Sequence, residues 1–362
     1  MRRNNTKRVR VGSIFVGGGA PIAIQSMNNT DTRDVEATLT QIRALSAEGC
    51  DITRVAIPDR EAALALERIV KASPLPVVAD IHFDYRLALL AIQSGAAKIR
   101  INPGNLGGAD RVAAVSHAAK ERGIPIRVGV NSGSLSGEIL QKFGGVTREA
   151  MTESALQAIH LLEENRFDDI VVSIKSSDPL LTIESYRLLA EKTNYPLHVG
   201  VTEAGTIREG VIRSAVGIGT LLAEGIGDTI RVSLTGDPVE EVRAAKSILR
   251  ALSLRTGGIE LISCPTCGRT EVPLIELAER VEEAVRDLPY SLRVAVMGCA
   301  VNGPGEARES DVGIAGGKNE YLIFRKGIPI RKVSPEDALP EFLREIRLAG
   351  EEKSAEEKND KA

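Results

Sequence analysis

The chain has 362 residues, of which 43% are hydrophobic and 26% charged, with a net charge of -3 at neutral pH. That length exceeds what one core fills and predicts a large domain plus a smaller one, while the slightly acidic balance gives no overall reason to expect a nucleic-acid partner or an anionic membrane surface. No apolar run approaches the ~20 residues of a membrane helix, and four cysteines are too few for a disulfide framework, so a reducing, cytoplasmic setting is expected.

Arg2, Arg3, Lys7, Arg8 and Arg10 precede a fairly apolar stretch reaching Ile24, which has the outline of a signal peptide. Gly12, Gly17, Gly18, Gly19 and Pro21 interrupt it, and no small-residue cleavage site follows. A hairpin within residues 1–20 is predicted instead, with 8–11 pairing to 14–16 across Gly12 and Ser13.

From residue 21 to about 254 one pattern recurs eight times: a short apolar or β-branched run, a polar or glycine loop, then an amphipathic helical stretch. The runs fall at 22–27, 52–57, 76–81, 97–102, 125–130, 169–175, 197–203 and 229–235. Eight such units predict an α/β fold, a closed parallel (β/α)8 or TIM barrel with helices outside, occupying residues 1–256. A doubly wound open sheet is the competitor, but the loop after the first run, residues 28–32, lacks the glycine-rich phosphate fingerprint of that class. Helix 34–48 carries Val35, Leu39, Ile42 and Leu45 at spacings of three and four and stops at Gly49. The longest unit contains residues 131–137, rich in serine and glycine, which are expected to form a ligand loop or mobile lid.

Beyond Gly257 and Gly258 the rhythm changes. Strands near 259–262, 292–297, 311–315 and 321–324, with helices near 272–286 and 335–348, predict a small mixed α/β domain over 257–348. Residues 349–362 are charged and poor in apolar residues, and are expected to be disordered.

Cys264 and Cys267 share one tight loop, Cys299 follows 32 residues after Cys267, and Glu306 lies seven residues beyond that behind Asn302, Gly303, Pro304 and Gly305. A lone C-x-x-C also serves redox pairs and zinc knuckles. A redox pair normally opens a helix, and here Gly268 and several further residues intervene before Val272. A structural zinc site wants four Cys or His ligands, yet all four histidines lie before Gly257. Three cysteines with a fourth position open or held by an oxygen ligand favour a 4Fe-4S cluster over zinc, with Glu306 the candidate fourth ligand. Cys50 precedes the second barrel strand and reads as a core residue.

Parallel barrel strands are buried on both faces and should be nearly all apolar. Arg54, Asp80, His82, Arg100, Asn102, Arg127, Asn131, Lys175, Glu203 and Arg231 break that rule in or just beyond the strands, mostly toward their carboxyl ends, where barrel enzymes gather functional groups. An internal ion-pair network accounts for some of them. Four arginines and a lysine against two acids leave positive charge that suits a compact anion such as a diphosphate. Ser233 follows the eighth strand, where barrels often hold phosphate. His198 reads equally well as a packed core residue.

The motifs Gln25-Ser26-Met27, Asp80-Ile81-His82-Phe83, Arg100-Ile101-Asn102-Pro103-Gly104-Asn105 and Gly200-Val201-Thr202-Glu203-Ala204-Gly205 stand with the Cys264, Cys267, Cys299 and Glu306 set. Together they resemble the bacterial 4-hydroxy-3-methylbut-2-enyl diphosphate synthase family of the methylerythritol phosphate route to isoprenoids, over about residues 6–348. The resemblance implies reductive ring opening and dehydration of 2-C-methyl-D-erythritol 2,4-cyclodiphosphate. It implies a 4Fe-4S cluster held by Cys264, Cys267, Cys299 and a displaceable Glu306, and substrate binding by Arg54, Arg100, Arg127, Asn131, Lys175, Arg231 and Ser233. His82, Asn102 and Thr202 join that set as strand-end candidates, and Glu203 is the implied acid near the departing hydroxyl. It further implies flavodoxin or ferredoxin as electron donor, and a homodimer whose active site is shared between subunits. The rivals are a zinc-dependent barrel hydrolase or lyase and a non-catalytic iron-sulfur sensor of a diphosphate.

Overall fold

In the computed structural model, which describes residues 5–255, 257–286, 288–299 and 307–359, the chain divides into two compact units, 1–255 and 256–362. The first opens with an antiparallel hairpin, β1 (Val9–Val11) and β2 (Ile14–Val16), in which Val11 pairs with Ile14. The turn requires a left-handed residue, supplied by Gly12 at φ 59°.

The barrel strands are β3 (Ala23–Met27), β4 (Ile52–Ala56), β5 (Val77–Asp80), β6 (Lys98–Ile101), β7 (Ile126–Asn131), β8 (Ile170–Lys175), β9 (His198–Val199) and β10 (Thr229–Ile230). All pair in parallel in the order β8-β7-β6-β5-β4-β3-β10-β9. A parallel bridge between Val172 and Leu197 brings the two ends together, with Val172 N donating to Pro196 O at 2.9 Å. This is the (β/α)8 barrel expected from the eightfold pattern. The last two ladders are shorter than the sequence runs, and residues 200–203 and 231–235 leave the sheet.

Register fixes which residues point inward, because paired residues of parallel neighbours share a face. Ala23, Ile52 and Val78 cluster with Val11 and Val16, so the hairpin plugs the amino-terminal end of the barrel with apolar side chains. Two residues further along each strand the interior turns polar. The outward residues, such as Ile24, Val55, Ala79, Ile99, Val128 and Val172, join the large core beneath the helices. Asp34, Asp59, Asp84, Asp178 and Asp237 cap the amino termini of the helices Val35–Glu48, Arg60–Ala72, Tyr85–Gln93, Pro179–Lys192 and Pro238–Ala251, each carboxylate accepting main-chain N–H bonds. Within the stretch expected to form a ligand loop or mobile lid, residues 132–134 make a tight turn: Asn131 N donates to Ser134 Oγ at 3.0 Å and Ser134 Oγ donates to Asn131 O at 2.8 Å.

The second unit is a five-stranded sheet in the order β11 (Ile259–Ser263), β12 (Leu292–Met297), β13 (Val312–Gly317), β14 (Glu320–Arg325), β15 (Ile328–Val333). β11, β12 and β13 are parallel, and β14 and β15 are antiparallel to their neighbours. Leu274, Leu277 and Val281 of the helix Leu274–Val285 join Phe342 and Ile346 of the carboxyl-terminal helix in one core over the sheet. β15 escapes the sequence reading because Pro329 interrupts it; as an edge strand it loses no interior ladder bond to the proline.

The carboxyl-terminal helix runs Ala338–Asn359, which corrects the disordered tail expected from residue 349. Some of the charge on this segment is paired with the sheet domain. Lys353 Nζ lies 3.0 Å from Asp311 Oδ2, Arg325 pairs with Glu352, and Gly350 lies under the ring of Tyr290, where a Cβ would stand 2.2 Å from Cγ. No helix among the described residues is long and apolar enough to cross a membrane.

Candidate active site

Alternation along the barrel strands sends a set of charged side chains inward toward the carboxyl ends. Arg54 comes from β4, Asp80 from β5, Lys98 and Arg100 from β6, Arg127 from β7, Lys175 from β8, and Arg231 just past β10. Two of these placements depend on glycine. A Cβ on Gly129 would stand 2.5 Å from Arg100 Nε, and a Cβ on Gly200 would stand 2.4 Å from Arg231 O and 2.9 Å from Lys175 Nζ.

Two carboxylates organise the bases. Asp80 lies 3.1 Å from Arg100 Nη1 and 3.7 Å from Arg54 Nε, with His82 Nε2 at 3.8 Å from the rim. Burial pushes its carboxyl up, but the charges of Arg54, Arg100 and Arg127 outweigh burial and hold it at about 2. Glu241, from the helix Pro238–Ala251, receives Arg231 Nη2 at 3.1 Å, Ser26 Oγ at 3.1 Å and Leu234 N at 3.0 Å. It thereby ties the segment carrying Ser233 to the barrel.

Six interior bases face these two acids. Burial, followed by the field of Asp80 and the neighbouring arginines, leaves Arg54 at about 10, still a cation near neutrality. Burial and the nearby guanidiniums push Lys175 and Lys98 well below the usual lysine range. Arg127, 2% exposed, has no hydrogen-bond partner for Nε or Nη1 among the described residues, and Arg100 Nε, Arg231 Nε and Ser233 Oγ share that condition. Buried donors without partners are costly. A multiply charged anion entering at the carboxyl ends of the strands supplies acceptors and charge together.

The remaining candidates lie around this group. Asn102 is buried and its Oδ1 accepts from Gly104 N at 3.3 Å, which orients the loop after β6. Asn131 ends β7, and Thr202 is half-buried with its N donating to Ser176 O at 3.1 Å. Glu203 is exposed, makes no ion pair among the described residues and adopts φ 51°, a left-handed backbone that costs a non-glycine residue about 1 kcal/mol. It therefore does not answer the interior bases, a task that falls to Asp80 and Glu241. His198 is fully buried with neither ring nitrogen partnered among the described residues, and Cys50 is buried, its thiol donating to Ile52 O at 3.1 Å and pushed up to about 12 by burial.

Sequence reasoning missed Lys98 and Glu241. Lys98 had a signal, since Lys98, Arg100 and Asn102 alternate with Ile99 and Ile101 and so share one face of β6. Glu241 had none, because nothing in a helix's first turn tells a buried acid from a solvated one.

In the second unit, β11 and β12 end side by side, with Ser263 paired to Val296. Cys264 and Cys299 leave the sheet from that shared edge. Gly298 N donates to Cys264 Sγ at 3.2 Å, and Thr270 closes the cysteine loop through its N to Cys267 O at 3.0 Å and its Oγ1, which accepts from Cys267 N at 3.2 Å. Main-chain and side-chain hydrogen bonds from Arg269 lower the Cys267 thiol below its usual range, which favours a thiolate. A main-chain donor to one sulfur and a lowered thiol fit the donor chemistry of an iron-sulfur cluster. Among the described residues no three His, Cys, Asp or Glu side chains already meet as a metal site, and Glu306 lies outside the described residues.

Residues 6–246 match the family model described as the GcpE TIM-barrel domain, and residues 260–348 match the GcpE protein C-terminal domain. The chain belongs to the GcpE family. It is 60% identical over 346 residues to a 4-hydroxy-3-methylbut-2-en-1-yl diphosphate synthase (flavodoxin) of Ruminiclostridium cellulolyticum, covering 96% of this chain and 98% of that one. A protein of the same name from Clostridium perfringens is 59% identical over 346 residues, covering 96% and 99%. Among solved structures, a dihydropteroate synthase from Stenotrophomonas maltophilia aligns with TM-score 0.51 at 13% identity over 69% of this chain and 100% of that one, a likeness of barrel fold alone.

Proposed function

We propose that this GcpE-family chain catalyses the two-electron reductive ring opening of 2-C-methyl-D-erythritol 2,4-cyclodiphosphate, with loss of water, to 4-hydroxy-3-methylbut-2-enyl diphosphate. The observation that carries the reading is the barrel interior, where six bases face two carboxylates and several buried donors await acceptors. Arg54, Arg100, Arg127, Lys175 and Arg231 bind the diphosphate oxygens, with Ser233, Asn131, Asn102, Thr202 and His82 completing the shell at the strand ends. Asp80 orients the Arg54 and Arg100 forks, and Glu241 orients Arg231, so the charges are set before substrate arrives. Glu203, at the rim, holds the proton that leaves with the hydroxyl as water.

Cys264, Cys267, Cys299 and Glu306 hold a 4Fe-4S cluster in this proposal. When bound, the cluster supplies electrons singly and a Lewis-acidic iron. Flavodoxin delivers the electrons, two copies of the chain share each active site, and the enzyme works in the cytoplasm. The test is composition and binding under anaerobic conditions. Brown protein containing iron and labile sulfide, with a melting temperature raised by the cyclodiphosphate, is expected; colourless protein with stoichiometric zinc would contradict the proposal.

A further inference from the structure

Lys98 has no role in the scheme above, although it is fully buried in the barrel and points inward. Its partner on the neighbouring strand is Val78, in the layer next to the hairpin plug, and Arg100 lies two residues nearer the mouth. Its one hydrogen bond among the described residues runs from Nζ to Gln25 Oε1 at 3.4 Å, and Gln25 Nε2 has no partner. Among the described residues no carboxylate pairs with it. An ammonium in that position is desolvated and surrounded by like charge, so the free protein disfavours the charged form.

We propose that Lys98 takes up a proton when the cyclic diphosphate binds above it, so that the ligand's charge is met from below by a cation the free barrel does not hold. This rests on the substrate reading proposed above. The proton comes from solvent, and no bond of the ligand breaks.

The other groups facing this interior respond differently. Arg54, at about 10, keeps its proton near neutrality, and Arg100, Arg127 and Arg231 are the other guanidiniums facing this interior. Asp80, held at about 2, stays a carboxylate, and Glu241 is satisfied by Arg231, Ser26 and Leu234. Tyr186, from the helix Pro179–Lys192, donates to His198 O, and burial drives its own ionisation well above neutrality. Lys175 and His198 are the remaining bases that can titrate. Lys175 lies at the mouth in direct reach of the ligand, and His198 has no hydrogen-bonded ring partner among the described residues to stabilise an added proton. Lys98 has the carbonyl oxygen of Gln25.

A cyclic diphosphate has no group that titrates near neutrality, so protons exchanged on binding come from the protein. The experiment is calorimetric titration of the oxidised holoenzyme, without reductant, in buffers of different ionisation enthalpy. Binding to the unmodified protein is expected to take up protons, and Lys98→Met is expected to lower that uptake by about one per site. The affinity of the unmodified protein should weaken up to about tenfold per pH unit more steeply than that of Lys98→Met. Lys98→Gln, which keeps a polar group if the methionine variant does not fold, should behave like it, while His198→Asn should leave the uptake unchanged. Binding with equal uptake in the unmodified protein and the Lys98 variants would overturn the role of Lys98 and leave the substrate reading standing. No binding by well-folded holoenzyme would contradict both.

Discussion

Gly129 lies directly against the guanidinium of Arg100, so that a Cβ there would stand 2.5 Å from Nε and 3.2 Å from Cζ. Arg100 in turn is held by Asp80 at 3.1 Å, so a backbone position with no chemistry of its own sets where a charge is presented. Gly129→Ala must move the guanidinium or the strand. A stability loss of about 1–3 kcal/mol is expected from overpacking. A rise in KM for the cyclodiphosphate should accompany it, measured by thermal melts and steady-state kinetics. An unchanged KM would show that Arg100 is not positioned by this contact.

Asp80 supports a prediction about acid stability. Its carboxyl lies at about 2 in the folded chain against 3.8 for the unperturbed group, so its contribution is fully present above about pH 4 and is lost as pH falls through 2. The contribution amounts to about 2 kcal/mol. Asp80→Asn should be less stable than the unmodified chain at pH 7, and the difference between them should shrink between pH 4 and pH 2. A difference constant across that range would show that the carboxylate is not paired as described.

Much of this barrel is legible in the sequence because its pattern is redundant. Eight apolar runs, with charges where a buried strand should have none, identify both the strands and the end that carries the site. The contribution of Glu241 was not legible, since its significance comes from an inward turn of the helix that only the fold supplies. The charged segment after residue 349 misled for a related reason. Lys353 and Glu352 look solvated in sequence, yet they meet Asp311, just before β13, and Arg325 at the end of β14, and the helix continues past them.

Glu203, the proton donor of the proposed reaction, is exposed and makes no ion pair among the described residues. Glu203→Gln should retain KM within a few-fold while kcat falls by about 10²–10⁴. Loss of affinity with unchanged kcat would assign Glu203 to binding instead.

Cys267 is exposed at the loop tip, and its lowered thiol depends on the Arg269 main-chain N–H first and on the Arg269 side chain next. Cys267→Ser, purified anaerobically, should lose most of its iron and labile sulfide while the barrel still binds the cyclodiphosphate by calorimetry. Full cluster content in that variant would remove Cys267 from the ligand set.

The most direct test of the account is anaerobic turnover of 2-C-methyl-D-erythritol 2,4-cyclodiphosphate with reduced flavodoxin, followed by mass spectrometry of the product and a count of electrons consumed. One 4-hydroxy-3-methylbut-2-enyl diphosphate per two electrons is the predicted result. Tight binding of the cyclodiphosphate by iron-sulfur-loaded protein with no product formed would contradict it and favour a diphosphate sensor.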